Sequence, residues 1–127
     1  MSHFSKVKTS LKDLDMIKKS LDDLGINWNK NTTILKGYKS QNHSANLVIK
    51  QNNNYDIGFN WNGIEYQLIA DLQFWQQPWP VDLFLDKITQ RYAYNSIIKT
   101  TTEEGFQCIE ETSQENGNIR ISLQRWT

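Results

Sequence analysis

Leu11, Leu14, Ile17, Leu21 and Leu24 stand three or four positions apart, with polar and charged residues between them. That spacing lines one stripe of an α-helix, which Ser10 is placed to cap and Gly25 to end. Ahead of it "HFSKVKT", residues 3–9, alternates in the manner of a first strand. Residues 26–34 read as two short strands, around Trp28 and around Thr33, in a stretch that Asn27, Asn29 and Asn31 make turn-prone. "ANLVIKQ", beginning at Ala45, predicts a further strand running to the turn at Asn52 to Asn54.

The strongest alternation lies in "YDIGFNWNGIEYQLIAD", residues 55–71. Asn62-Gly63 is a pair favoured in two-residue hairpin turns, where both positions need positive φ. A hairpin closed there pairs Trp61 with Ile64, Phe59 with Tyr66, Ile57 with Leu68 and Tyr55 with Ala70, all on one face. Asp56, Gly58, Asn60, Glu65, Gln67 and Asp71 take the other face, where Ile69 is the one large apolar exception. Burying side chains of this size stabilises by roughly 1.5–3 kcal/mol each, so the apolar face is the expected floor of the core.

A long helix is predicted from Val81 to Gly105, with Val81, Phe84, Leu85, Ile88 and Tyr92 on one stripe. Tyr94, Ile97 and Ile98 lie around its back, which calls for a bend near Ala93 or burial on two sides. "FQCIEETS" and "NIRISLQRW" flank Asn116-Gly117 and form a closing hairpin, whose register a bulged turn would move by one residue. The chain of 127 residues thus reads as one α+β domain over 1–127: an antiparallel β-sheet with two helices packed on one face, in a ferredoxin-like order with extra hairpin strands.

Between the central hairpin and the long helix runs "LQFWQQPWPVDLF", which holds Trp75, Trp79 and both prolines of the chain. Pro80 suits a helix entry, where a missing amide donor does no harm, and Pro78 stiffens the approach. Trp75 and Trp79 then either fold back on the sheet edge and helix start, or remain exposed as a docking loop for a protein partner. "QRYAY" sets Arg91 among Tyr92 and Tyr94. Arg91 can stack on Tyr94 or Trp79 and pair with Asp86 or Asp71, or with the tyrosine hydroxyls it can receive an anion.

Charge removes several function classes. Lysine plus arginine and aspartate plus glutamate total 14 each, so no net field draws a phosphate backbone, and nucleic acid is not expected as a partner. The aromatics of "YDIGFNWN" share their face with Ile57, Ile64 and Leu68, which makes them core rather than a base-stacking platform. His3 and His43 are the only histidines and, with Cys108, show no metal-ligand spacing, so neither metal nor cofactor is expected. Cys108 sits in a strand pattern without the elbow of a nucleophile, and a single cysteine makes no internal disulfide, in keeping with a reducing compartment. Asp13, Asp15, Asp22 and Asp23 read as the solvated face of the first helix. No apolar run reaches the ~20 residues of a membrane span. "MSHFSKVKTS" has neither a secretion signal's apolar core nor a transit peptide's arginines, so the protein is expected to be soluble and to work where it is made.

Taken together, "MSHFSKVKT", "DLG" at 23–25, Gly37-Tyr38, "LVI", "YDIGF", "QRYAY", Gly105-Phe106 and the terminal Arg125-Trp126 give the chain a family likeness. It resembles the hypothetical chloroplast open reading frame 35 family of algal plastids and cyanobacteria along nearly its whole length. The resemblance implies a plastid-encoded protein of the chloroplast, in the stroma, and fits the lysine-, asparagine- and isoleucine-rich composition of an AT-rich genome. It brings no catalytic residue to carry over. The expected function is therefore a soluble accessory protein, not an enzyme, that binds an unidentified protein partner through Trp75, Trp79 and the "QRYAY" helix. The alternative is an anionic-ligand domain or small enzyme with a pocket around Arg91.

Overall fold

A computed structural model describes residues 4–36, 42–53, 55–113 and 119–125. The elements along the chain are β1 (Ser5–Leu11), α1 (Leu14–Asp23), β2 (Asn29–Lys36), β3 (Asn42–Ile49), β4 (Ile57–Trp61), β5 (Tyr66–Ala70), α2 (Val81–Glu103), β6 (Phe106–Ser113) and β7 (Ile119–Arg125). β2 to β5 form a meander, and β1 pairs antiparallel with β5, giving the order β1-β5-β4-β3-β2. α1 therefore carries the chain from one edge strand of the sheet to the other. The fold is α+β, and β6 and β7 form a two-stranded sheet of their own.

Pairing builds the floor of the core as a row across the sheet: Val7 opposite Leu68, Leu68 opposite Phe59, Phe59 opposite Leu47. Leu47, Phe59 and Leu68 are fully buried, and Ile17 and Leu21 of α1 and Phe84 and Ile88 of α2 close over them in one cluster. Ala45, Val48 and Ile69, with Phe4 against them, make a second, smaller cluster. Ile69, the apolar exception to the alternation, is thus core, and Gly58 separates it from Val48 in the row.

The central hairpin keeps the predicted faces but not the predicted turn. Trp61 pairs with Tyr66 and Phe59 with Leu68, two residues along from the pairing that a two-residue turn would impose. The Asn62 side-chain oxygen accepts from the amides of Ile64 and Glu65, both at 2.8 Å, and closes a four-residue loop. Side chains alternate with period two, so a shift of two leaves every residue on its own face. Ile64 is carried to the tip, where it is 69% exposed.

α1 begins three residues later than its leucine spacing predicts. The Thr9 hydroxyl accepts from the Leu11 amide and donates to the Tyr66 carbonyl, extending β1 to Leu11, with Ser10 at φ 63° in a bulge. Asp13 is the cap instead, accepting from Asp15 and Met16 amides. The other end follows the sequence: Gly25 at φ 73° lets its own amide reach Asp22 and the Ile26 amide reach Leu21. α2 is one helix, with Ile97 46% exposed and Tyr94 and Ile98 half-buried. The two strands expected around Trp28 and Thr33 are one strand, β2, with Trp28 just ahead of it. The Asn116-Gly117 turn lies outside the described residues. β6 and β7 pair Ser113 with Ile119, one residue off the register of a two-residue turn, and a bulge between Cys108 and Glu110 moves it once more.

Two substitutions separate floor from tip. Phe59→Ala should destabilise by about 3–5 kcal/mol, because the rigid row leaves a cavity. Ile64→Ser should stay within about 0.5 kcal/mol of wild type, both read by chemical denaturation.

Candidate functional site

The tryptophan connector is stitched to the loop after β3 by one buried amide. Gln51, 7% exposed, donates from Nε2 to the carbonyls of Tyr55 and Phe74, and its Oε1 accepts from the Gln76 amide at 2.7 Å and Gln77 Nε2 at 3.1 Å. Asn53 adds a bond from Nδ2 to the Phe74 carbonyl at 2.9 Å. Asp71 caps the 3-10 turn Leu72–Phe74 through the Gln73 amide, and Tyr55 stacks on Phe74 with ring centres 3.9 Å apart. The connector is therefore held at its start by polar side chains that the hydrophobic pattern did not reveal.

Trp75 and Trp79 both lie half-buried against the core. Trp75 Nε1 donates to the Trp79 carbonyl at 2.7 Å, and its ring meets Phe84 edge-on at 5.0 Å. Trp79 carries the Lys87 ammonium 4.9 Å from its ring centre, an attraction between cation and π-face. Beside Trp79 opens a cleft of about 220 Å³. Pro78, Gln77, Lys50 and the turn from Leu24 to Asn27 at the end of α1 line it, with Ile49. The sequence placed Trp79 near the start of α2 but gave no sign that the Gly25 turn stands opposite it.

Along the seam of α1 and α2 the remaining residues of interest are engaged with each other. Arg91 Nε donates to Asp23 Oδ2 at 3.0 Å, and the guanidinium lies 4.2 Å from the Tyr94 ring centre. The sequence offered Asp86 and Asp71 as its carboxylate partners; the structure supplies Asp23, from the other helix. Tyr92 turns inward, its hydroxyl oxygen accepting from the Asp13 amide at 3.0 Å. Asn95, 2% exposed, occupies the same stripe of α2 as Phe84 and Ile88 and donates to Asp23 Oδ2 at 3.0 Å and Ser20 Oγ at 3.4 Å. Helical spacing places Asn95 on the buried stripe, but its polarity hid it among the apolar positions.

The acids of α1 are thus not merely a solvated face: Asp13 caps the helix, Asp22 accepts from Trp28 Nε1 at 2.8 Å, and Asp23 takes Arg91 and Asn95. Burial of Asp23 opposes its ionisation, but the hydrogen bonds from Asn95 and Arg91 and the charges of Lys19 and Arg91 outweigh it and hold its carboxyl below the ordinary carboxylate value. The Tyr66 hydroxyl is pushed the other way, by burial and then by the charges of Asp13 and Asp15. Among the described residues no group of three or more histidines, cysteines or acids is gathered for a metal ion. His3 lies outside the described residues.

The pattern of the whole chain finds its match in known proteins. The model of the family described as "Protein of unknown function (DUF1257)" matches residues 20–122. A protein named "Uncharacterized protein ycf35" from Guillardia theta is 65% identical over 126 residues, 99% of this chain and 98% of its own. The chain belongs to this family. Relatives of the same name from Pyropia yezoensis and Cyanophora paradoxa are 45% and 41% identical, each over 99% of this chain and 98% of their own. These algal relatives support a plastid location. No solved structure matches the chain.

Asp23 supplies a pH test of the helix seam. A carboxyl whose folded pKa lies below its unfolded value of 3.8 adds stability above that value and loses it as pH falls through the folded pKa. Asp23→Asn should therefore be less stable than wild type at neutral pH and approach it as pH falls below 3.8 through the folded pKa. Denaturant melts across that range read the difference.

Proposed function

We propose that the protein is a non-catalytic protein-binding module of the plastid stroma that docks its partner at the tryptophan connector and the adjoining face of α2. The cleft beside Trp79 carries this reading. Its volume of about 220 Å³ suits one bulky apolar side chain, and Lys50 at its lining favours a carboxylate next to that side chain. The partner is accordingly a protein segment with a large apolar residue flanked by an acid.

The five residues singled out in the sequence divide the work. Trp79 is the wall that the partner touches; Lys87 lies over its ring, and Arg91 and Tyr94 follow along α2 at steps of four and three positions. Trp75 fixes the wall from within through the Trp79 carbonyl, and Tyr92 fixes α2 to the start of α1. Leu72 and Leu83, 39% and 44% exposed, flank the connector and add the apolar surface on which interfaces are built. No described helix is long and apolar enough to cross a membrane, which is in keeping with a stromal factor.

Alanine at Trp75 would remove packing as well as any contact, so the clean variants are at the rim. Lys50→Glu reverses the charge of the cleft at an exposed position, and Asn27→Trp fills it from an exposed turn. The tagged protein from plastid extract should retain a stoichiometric partner that both variants lose, with melting temperatures within about 2 °C of wild type, as expected for surface changes. Retention of the same partner by both variants, or no partner for the wild type, contradicts the reading.

A further inference from the structure

Among the described residues the two sheets leave four edge strands: β1, β2, β6 and β7. An edge strand offers unpaired amides and carbonyls to another chain, and bulges are among the devices that blunt it. β1 carries two extra residues between Lys8 and Leu11, β2 one between Lys30 and Thr33, and β6 one between Cys108 and Glu110. β7 carries none. Its residues from Ile119 to Arg125 run without interruption, and no described strand pairs with its outer side.

A two-stranded sheet is at best marginal alone, and gains stability from further strands with a shared apolar face or from packing against a helix. β6 ties the ribbon to α2, while β7 lies outboard with Ile119, Ile121 and Leu123 on one face, all half-buried and none closed off from solvent. Arg120, Ser122 and Gln124 alternate with them on the other face.

We propose that the protein forms a two-fold symmetric dimer by antiparallel pairing of β7 with β7 of a second copy, centred on Ser122. This register uses the full strand. It sets Ile121 opposite Leu123, Ile119 opposite Arg125 and Arg120 opposite Gln124 of the other copy, each pair occurring twice. The even offset keeps Ile119, Ile121 and Leu123 of both copies on one face, so the two β7 strands share one apolar stripe along the new seam. β7 has two arginines and no acid, and the centred register opposes no like charges, whereas pairing shifted one residue toward the C-terminus would place Arg120 opposite Arg125. The symmetry closes the assembly at two copies, because pairing consumes the open edge of both.

The test is the mass of the full chain by light scattering over a dilution series, together with two variants at one exposed position. Wild type should appear at twice 14.9 kDa and dissociate on dilution. Gln124→Arg opposes a second cation to Arg120 at two symmetric places and should raise the dimer dissociation constant about 2- to 30-fold. Gln124→Glu opposes an acid there and should lower it by a similar factor. Equal far-ultraviolet circular dichroism and melting of the diluted monomers would show that the fold is the same in all three. A monomer at every concentration, or a dimer indifferent to both charges, overturns the proposal.

Discussion

Everything else in the molecule rests on one layer of side chains, the row Val7, Leu68, Phe59 and Leu47 beneath Ile17, Leu21, Phe84 and Ile88. It draws on β1, β5, β4 and β3 and on both helices, so none of these six elements can leave without opening the same core. Tight packing there explains why α1 must cross the whole sheet: only a helix lying over the middle strands lets β1 and β2 occupy opposite edges. The end of that crossing is the Gly25 turn, which faces Trp79 and, with Ile49 and Lys50, makes a cleft from three segments far apart in the chain.

The polar residues inside this framework act by position. Gln51 uses both ends of its amide to join the loop after β3 to the connector, and Asn95 joins α2 to Ser20 and Asp23 of α1. A buried amide left without partners costs about 1–3 kcal/mol, so each such group penalises any arrangement of the chain that separates it from its acceptors. Trp75 works in the same sense, with its indole N–H bound and its ring against Phe84. The concentration of aromatic and proline residues in the connector thus has a structural cause on its inner side and an open surface on its outer side.

The order of elements, the apolar faces and the glycine stop of α1 were legible in the sequence because each depends on local periodicity or on a single φ. Turn details were less so. Asn62-Gly63 fits the pattern of a tight two-residue turn, yet the Asn62 side chain caps a four-residue loop and Trp61 pairs with Tyr66. Ser10 met the pattern of a helix cap, yet Thr9 and Tyr66 hold that segment in the sheet, a contact between residues 57 positions apart. The partners of Arg91 and the roles of Gln51 and Asn95 were hidden for the same reason: hydrogen bonds across the fold leave no period in the chain. Trp61, assigned to the core face, is on that face but 41% exposed, because it stands at the end of the strand beyond the cover of the helices.

The claim that ties fold to function is that the connector is part of the folded core, a fixed wall and not a loose loop. Native-state hydrogen exchange at the Gln76 amide tests it directly, since that amide is exposed in sequence terms yet bound to Gln51 Oε1 at 2.7 Å. The account predicts slow exchange at Gln76 in the wild type and fast exchange after Gln51→Ala, with the Phe59 amide protected in both. Exchange of Gln76 at the rate of an unstructured peptide in the wild type would contradict it.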